Sequence, residues 1–207
     1  SSNTLGKYNT AVGFKSLNYN STGEFNTASG LNSLYSNTTG FQNTASGNAS
    51  LYFNTTGYSN TAIGNGAGRD ITTGSNNTVI GFDAQVPNGA ANNQVRIGNW
   101  DVTYSGVQIA WTITSDKRWK SDIKSSVLGL NFISKLNPVS YTRNNDEKKR
   151  IEYGLIAQEV EEVLEESGIE NAGMLTIDDN GRYELRYNDL LAPMIKAIQE
   201  LKSENEQ

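Results

Sequence analysis

Residues 26–47 read NTASGLNSLYSNTTGFQNTASG, so the five-residue motif NTASG that opens this stretch recurs 17 residues later. The same step of 17 continues on both sides of the stretch, which marks the first half of the chain as a structural repeat. Four columns carry the step: Asn9, Asn26, Asn43, Asn60 and Asn77, each followed by Thr; Gly13, Gly30, Gly47, Gly64, Gly81 and Gly98; Gly23, Gly40, Gly57 and Gly74; and Leu17, Leu34 and Leu51.

A 17-residue unit with two glycine corners is too short for a pair of helices and fits short strands joined by tight turns. Glycine permits positive φ in such turns without steric cost. We expect rungs stacked about 4.8 Å apart into a rod of roughly 25 to 30 Å, with ladders of Asn and Thr side chains along it. Val12, Ile63, Ile80 and Ile97 are predicted to point inward. One such chain buries little apolar surface, so lateral association, most naturally three-fold, is expected to stabilise it.

The words Asn9-Thr10-Ala11-Val12-Gly13 and Asn60-Thr61-Ala62-Ile63-Gly64 resemble the head repeats of trimeric autotransporter adhesins and related repeats in phage tail fibres. The resemblance covers residues 3–98 and implies a trimeric β-roll or β-helix. Two roles stay open: a spacer without a binding role, or a surface whose tyrosines stack on sugar rings of a host glycan. Packing between rungs is the favoured interpretation of these tyrosines, which are Tyr19, Tyr35, Tyr52 and Tyr58.

The composition excludes several kinds of chemistry. The chain has no cysteine and no histidine, which rules out disulfides, thiolate nucleophiles and a Ser-His-Asp triad. Any nucleophilic chemistry must therefore use Lys, Asp or Glu as its base. Residues 1–100 carry a net charge of +1 and residues 101–207 one of −6. This balance lacks the excess of positive charge that binds nucleic acid. No apolar run approaches the roughly 20 residues that span a bilayer. We expect no cofactor, no metal, no nucleic-acid partner and no membrane insertion.

The sequence changes character after the repeat, and we predict three segments. They are a repeat stalk over residues 1–99, a β connector over residues 100–114 and a small α+β domain over residues 115–207. The connector alternates apolar and other residues, which is typical of one or two strands; its apolar residues are Val102, Tyr104, Val107, Ile109, Trp111 and Ile113. Further on, the patterns predict a helix over 127–136, a strand over 139–141, an acidic helix ending at Glu166, and a hairpin joining 175–177 to 183–185.

The last helix carries apolar residues three and four positions apart, which is the spacing of a coiled-coil seam. A coiled coil of only two heptads is marginally stable in water by itself, so the helix needs the rest of the domain. The repeat stalk favours a trimeric coil, and the alternative is a single amphipathic helix on a monomeric core. The predicted seam is Leu191, Met194, Ile198 and Leu201.

Three separated motifs follow the connector in a fixed order. They are Ser115-Asp116-x-Arg118-x-Lys120-x-x-Ile123, Leu136-x-Pro138-Val139-x-Tyr141 and Gly154-x-Ile156-Ala157-Gln158-Glu159-Val160. Together they resemble the endosialidase-type intramolecular chaperone domain, which closes phage tailspikes, tail fibres and neck appendages and is also found in myelin regulatory factor. The resemblance implies a homotrimeric domain that guides the upstream fibre into register and then cuts itself off. It also implies a location in the virion, with the chaperone part made in the host cytoplasm and released after cleavage.

The same resemblance implies a serine–lysine dyad that cleaves the bond between Thr114 and Ser115. The Ser115 hydroxyl would attack the Thr114 carbonyl carbon, with Lys120 as the base, and water would hydrolyse the resulting ester. Because position i+5 does not face position i on a regular helix, the segment must form a turn. Asp116 and Arg118 are expected to orient the backbone or to pair across a trimer interface.

A lysine accepts a proton only as a neutral amine, so the dyad requires partial burial. Trp111, Ile113 and Trp119 are expected to supply that apolar shell. The alternative is that the Ser-Asp pair is only a helix cap and Lys120 only a solvated charge. At the level of function, two alternatives stay beside self-cleavage: a domain that trimerises without cleaving, and an adhesin whose repeat binds glycans.

Overall fold

The structure is a computed structural model that describes residues 5–206. The outermost residues of the predicted stalk and of the predicted C-terminal domain lie outside this range. The chain divides into two compact units, which meet in sequence between Val102 and Thr103. The first unit contains the 17-residue repeat, and the second contains the three downstream motifs.

The first unit is a parallel β-solenoid in which every repeat supplies one three-residue strand. All neighbouring strands pair in parallel, and each residue is registered with the residue 17 positions later, as Ala28 is with Ala45. The predicted β-helical stalk is thereby confirmed for the single chain. The six strands, in the order of the sheet, are β1 (Thr10–Val12), β2 (Thr27–Ser29), β3 (Thr44–Ser46), β4 (Thr61–Ile63), β5 (Thr78–Ile80) and β6 (Val95–Ile97).

The prediction that Val12, Ile63, Ile80 and Ile97 point inward is wrong. These side chains are exposed on the outer face of the sheet. Successive side chains of a strand point to opposite faces, so the first and third residues of a triplet share the outer face, and in β2 to β5 the second is buried in the interior. Small residues fit this narrow interior, and the fully buried second residues are Ala28, Ala45, Ala62 and Val79.

The leucine column fills the remaining interior, and a substitution elsewhere compensates where the column ends. Leu51 is fully buried, but the next position of the column is Gly68. A Cβ at Gly68 would lie 3.2 Å from Ile71 Cδ1, so Ile71 occupies the space that a leucine would take. Ile71 itself stands 17 residues after the buried Asn54. A leucine and an asparagine are thus exchanged for a glycine and an isoleucine, and the interior stays filled.

Two ladders of buried asparagines hold the rungs together, as the sequence predicted. In the first, Asn43 Oδ1 accepts from the backbone N–H of Asn60 (2.9 Å), and Asn43 Nδ2 donates to Gly57 O (2.8 Å). In the second, Asn54 Nδ2 donates to Asn37 Oδ1 (2.8 Å). Each amide therefore satisfies both its donor and its acceptor, which a buried polar group requires. Among residues 5–206, no buried side-chain nitrogen or oxygen lacks a hydrogen-bond partner.

The second unit is a small α+β domain, as predicted. The pairs β7–β8 and β9–β10 are antiparallel, and α1 and α3 pack together. The first helix is shorter than the predicted 127–136, whereas the acidic helix and the 175–185 hairpin are confirmed. The elements are α1 (Leu130–Lys135), β7 (Val139–Tyr141), β8 (Glu152–Gly154), α2 (Ala157–Glu166), β9 (Leu175–Ile177), β10 (Tyr183–Leu185) and α3 (Leu191–Asn205). The buried core consists of Leu128, Phe132, Val160, Leu164, Met174 and Leu190.

The predicted strands of the connector are absent from the described structure of residues 100–114. The alternating pattern is present in the sequence, but a strand forms only where its backbone finds a partner edge. Within the second unit, the apolar side chains of the connector are exposed instead of covered: Tyr104, Val107, Ile109, Trp111 and Ile113.

Candidate functional site

The structure brings the predicted serine and lysine into direct contact. Lys120 Nζ donates a hydrogen bond of 2.7 Å to Ser115 Oγ. A single 3-10 turn over Lys117–Trp119 separates the two residues and folds the chain back by the required amount. The prediction of a turn is therefore confirmed, and the two groups stand within proton-transfer distance.

Asp116 and Arg118 build this turn. Asp116 Oδ1 accepts from the backbone N–H of Arg118 (2.8 Å), which caps the turn, and Asp116 Oδ2 pairs with Arg118 Nη2 (2.6 Å). These hydrogen bonds from Arg118 hold the pKa of the Asp116 carboxyl below its ordinary value. Of the two predicted roles, orientation of the backbone is the one seen within the chain. The alternative interpretation of a cap also holds for Asp116.

The predicted apolar shell around Lys120 does not form in the single chain. Trp119 is 82% exposed and Trp111 is 76% exposed, and Ile113 is exposed as well. The lysine consequently donates its hydrogen bond from a solvent-facing position, and the bond between Thr114 and Ser115 lies in an exposed, irregular segment. The predicted dyad shows the hydrogen bond between Lys120 and Ser115 but not the desolvation that a neutral amine would require.

The last helix, α3, has one face packed on its own domain and one face open. Pro193 and Ala197 are buried. On the same side, Glu200 Oε2 accepts from the backbone N–H of Leu130 (2.6 Å) and ties α3 to the start of α1. That hydrogen bond, followed by one from Lys196, lowers the pKa of the Glu200 carboxyl. The predicted seam lies on the open face, and its members are all exposed: Leu191, Met194, Ile198 and Leu201.

Sequence reasoning missed three residues of the second unit. Ile195 is exposed beside the predicted seam and widens it, and its position four residues after Leu191 could have revealed this. Glu200 binds a residue 70 positions earlier, for which the sequence holds no signal. Asp146 is buried in the charged turn, where its carboxylate accepts from the Arg150 side chain (2.9 Å) and from two backbone N–H groups. These contacts, the Arg150 side chain first, lower its pKa to about 2.

The same charged turn fixes the start of the connector. Arg150 Nη2 donates to Thr103 O (3.4 Å). A cavity of about 460 Å³ lies there, lined by Thr103, Tyr104 and the turn residues 145–148 and 150. Thr103 is therefore held against the charged turn, although the later apolar residues of the connector are exposed.

On the solenoid, the predicted packing of the tyrosines between rungs is confirmed. Tyr35 and Tyr52 stack with ring centroids 4.8 Å apart, and Tyr19 meets Tyr35 edge-on at 5.0 Å. Tyr58 stacks on Phe41 at 4.8 Å. These contacts use ring faces that a sugar would need, and binding of a host glycan stays a prediction.

Residues 5–206 contain no group of three or more acidic, histidine or cysteine side chains placed to hold a metal ion. Over the same range, no helix combines the length and the apolar character needed to cross a membrane.

Residues 115–169 match the family model described as "Chaperone of endosialidase". The match begins at the serine of the predicted dyad and confirms the resemblance drawn from the three motifs. This segment supports a chaperone role on a phage tail appendage, and the family's short name classes it with the peptidases. A comparison with curated proteins and one with solved structures found no match to the chain.

Proposed function

We propose that this chain is the C-terminal part of a phage-type tail fibre or tailspike whose last domain forms a homotrimer, registers the upstream solenoid and then removes itself. The hydrogen bond between Lys120 Nζ and Ser115 Oγ carries the proposal, because it joins the two groups that self-cleavage needs at the first residue of the family match. In this proposal the solenoid stays in the virion. The chaperone domain is made in the host cytoplasm and leaves after cleavage.

The proposed reaction needs no separate substrate and no cofactor. Neutral Lys120 takes the hydroxyl proton of Ser115 while Ser115 Oγ bonds to the Thr114 carbonyl carbon. The bond from that carbon to the Ser115 nitrogen then breaks, and the lysine returns its proton to the departing amine. Water hydrolyses the ester to leave a carboxylate on Thr114 and the free hydroxyl and amine on Ser115. Proximity is supplied by the chain itself, because the 3-10 turn holds the two groups together.

Assembly supplies the missing desolvation in this proposal. The single chain leaves Lys120 exposed, without the apolar surroundings that the proposed base needs. The open face of α3 and the exposed side chains of Trp111 and Trp119 lie in the same unit as the dyad. A trimer that buries them would neutralise the lysine, so cleavage would follow assembly and not precede it.

Intact mass under denaturing conditions tests the proposal. The wild type is expected to yield two pieces, one ending at Thr114 and one beginning at Ser115, whereas Ser115→Ala and Lys120→Ala stay whole. Lys120→Arg should also stay whole, because a guanidinium remains charged. Two matched controls in the same segment, Lys117→Ala and Ser121→Ala, should cleave like the wild type.

The outcomes separate the proposal from its alternatives. A wild type that stays whole yet elutes as a trimer would leave a trimerisation domain without protease activity. A wild type that stays whole and monomeric would contradict both the chaperone and the protease. Cleavage of Lys120→Ala at the wild-type rate would remove the lysine from the mechanism.

A further inference from the structure

The connector carries the strand pattern and has no strand partner. From Val107 to Thr114 every odd position is apolar, and the even positions are Gln, Ala, Thr and Thr. Ile109 is nevertheless 84% exposed, and its apolar neighbours in the pattern are exposed with it. Among the described residues, no backbone N–H from Tyr104 to Ser115 donates a hydrogen bond to another backbone group. A segment with apolar side chains on one side and unpaired backbone N–H groups has the two properties of a β-strand without a pairing partner.

We propose that residues 105–114 pair with the same residues of two further copies of this chain, in parallel and in register, and that this intermolecular strand bundle ends at the cleavage site. The inference rests on the trimer of the proposed function and deepens it. Residues 105–114 are the segment whose pairing links trimer formation to the serine–lysine pair.

The charge distribution favours copies of the same segment as the occupant. Residues 103–114 contain no charged side chain, so three identical copies meet without like-charge repulsion. Charges begin at Asp116 and continue through Lys117, Arg118 and Lys120. In-register pairing of those residues would place like charges side by side, so the bundle has a physical reason to stop where the turn begins.

Symmetry sets the orientation of the strands. Copies related by a three-fold axis present the same segment in the same direction, so their strands are parallel. Arg150 holds Thr103 on the body of the second unit, so the segment starts from the same point in every copy. The open face of α3 belongs to the same unit as this segment.

In this arrangement, cleavage depends on pairing of the three connectors and not on trimerisation alone. Pairing of residues 105–114 would turn Trp111 and Ile113 from solvent towards neighbouring copies, next to Ser115. The lysine would then lose water only when three connectors are aligned. A trimer joined only through α3, with its connectors out of register, would stay uncut.

Hydrogen exchange on the full chain carrying Ser115→Ala tests this without relying on cleavage. In that trimer, the amides of residues 105–114 are expected to exchange about 100-fold or more slowly than in Ser115→Ala/Ile198→Asp, the monomeric comparison, because a paired amide exchanges only when the strand opens. Adding Ile109→Lys should remove this protection while the trimer persists through α3. Adding Thr112→Lys, on the opposite face of the same strand, is the matched control and should keep it.

The same two substitutions in the cleaving chain give a second measurement. Ile109→Lys should abolish cleavage and Thr112→Lys should permit it. Fast exchange of residues 105–114 in a trimeric Ser115→Ala chain would overturn the inference, as would a monomeric Ser115→Ala chain. If the wild type cleaves while these amides are unprotected, the inference fails and the proposed function stands. If the amides are protected while the wild type stays whole, self-cleavage fails and the paired connector stands.

Discussion

The two glycine columns of the solenoid exclude side chains for different physical reasons. Gly47 has φ of +137°, a conformation that L side chains rarely adopt, and a Cβ there would also overlap the carbonyl group of Gly64. Gly57 has no positive φ, and a Cβ there would overlap the Gly74 carbonyl oxygen and the Asn54 side chain. The prediction of positive φ is therefore right for the first column and wrong for the second, where close approach of the next rung requires glycine.

Gly47→Ala is expected to destabilise the solenoid strongly. Backbone strain of roughly 1–3 kcal/mol and overpacking of roughly 1–3 kcal/mol act at the same residue. Gly173→Ala is the control, because a Cβ at Gly173 meets no atom within 4 Å and its φ is not positive. Thermal unfolding followed by circular dichroism measures both. Equal midpoints for Gly47→Ala and the wild type would mean that the rungs are spaced more widely than described.

At the scale of elements, α3 is expected to decide the oligomeric state. Ile198 is 65% exposed at the middle of the seam, so Ile198→Asp places a charge where neighbouring copies would meet without costing the monomer its core. The variant should elute as a folded monomer in light-scattering chromatography and should stay uncut. Gln199→Asp, one position outside the seam, should remain trimeric and cleave. Efficient cleavage of monomeric Ile198→Asp would show that the dyad does not need assembly.

The sequence predicted elements wherever the signal was local. Spacing alone located α2, the hairpin of β9 and β10, and the step of 17 that sets the register of the solenoid. It did not determine which side of each strand faces inward, because a period of two is the same for both faces and the size of the interior decides between them. The contact of Glu200 with Leu130 joins residues far apart in sequence, which no local pattern records. The lysine and serine were predictable as a pair from the resemblance, whereas their exposure followed only from the folded chain.

At the scale of the whole molecule, the two units should respond differently to acid. The second unit contains carboxyls whose pKa values are lowered by hydrogen bonds, among them Asp116, Asp146 and Glu200. A carboxyl with a lowered folded pKa contributes its stability fully above its unfolded pKa of about 4. That contribution is lost as pH falls towards the folded value, about 2 for Asp146. The ladders inside the solenoid are amides, which do not titrate.

We therefore expect the second unit to unfold before the solenoid as the pH is lowered from 5 to about 2. Limited proteolysis with an acid-active protease, followed by mass spectrometry, would show cuts beyond residue 103 first. Asp146→Asn is expected to be less stable than the wild type at neutral pH and to lose less stability on acidification. Cuts that appear first within the solenoid would contradict the assignment of acid sensitivity to the second unit.

The strict step of 17 residues makes the length of the rod a matter of counting. Every rung is registered on the next in the same way, and the exchange of Leu and Asn for Gly68 and Ile71 shows that a rung can change its filling without disturbing that register. Insertion or deletion of one whole repeat would change the length of the solenoid by about 4.8 Å and leave both ends chemically unchanged. The number of repeats in the gene therefore sets the length of the solenoid, and this length can evolve independently of the residues at either end.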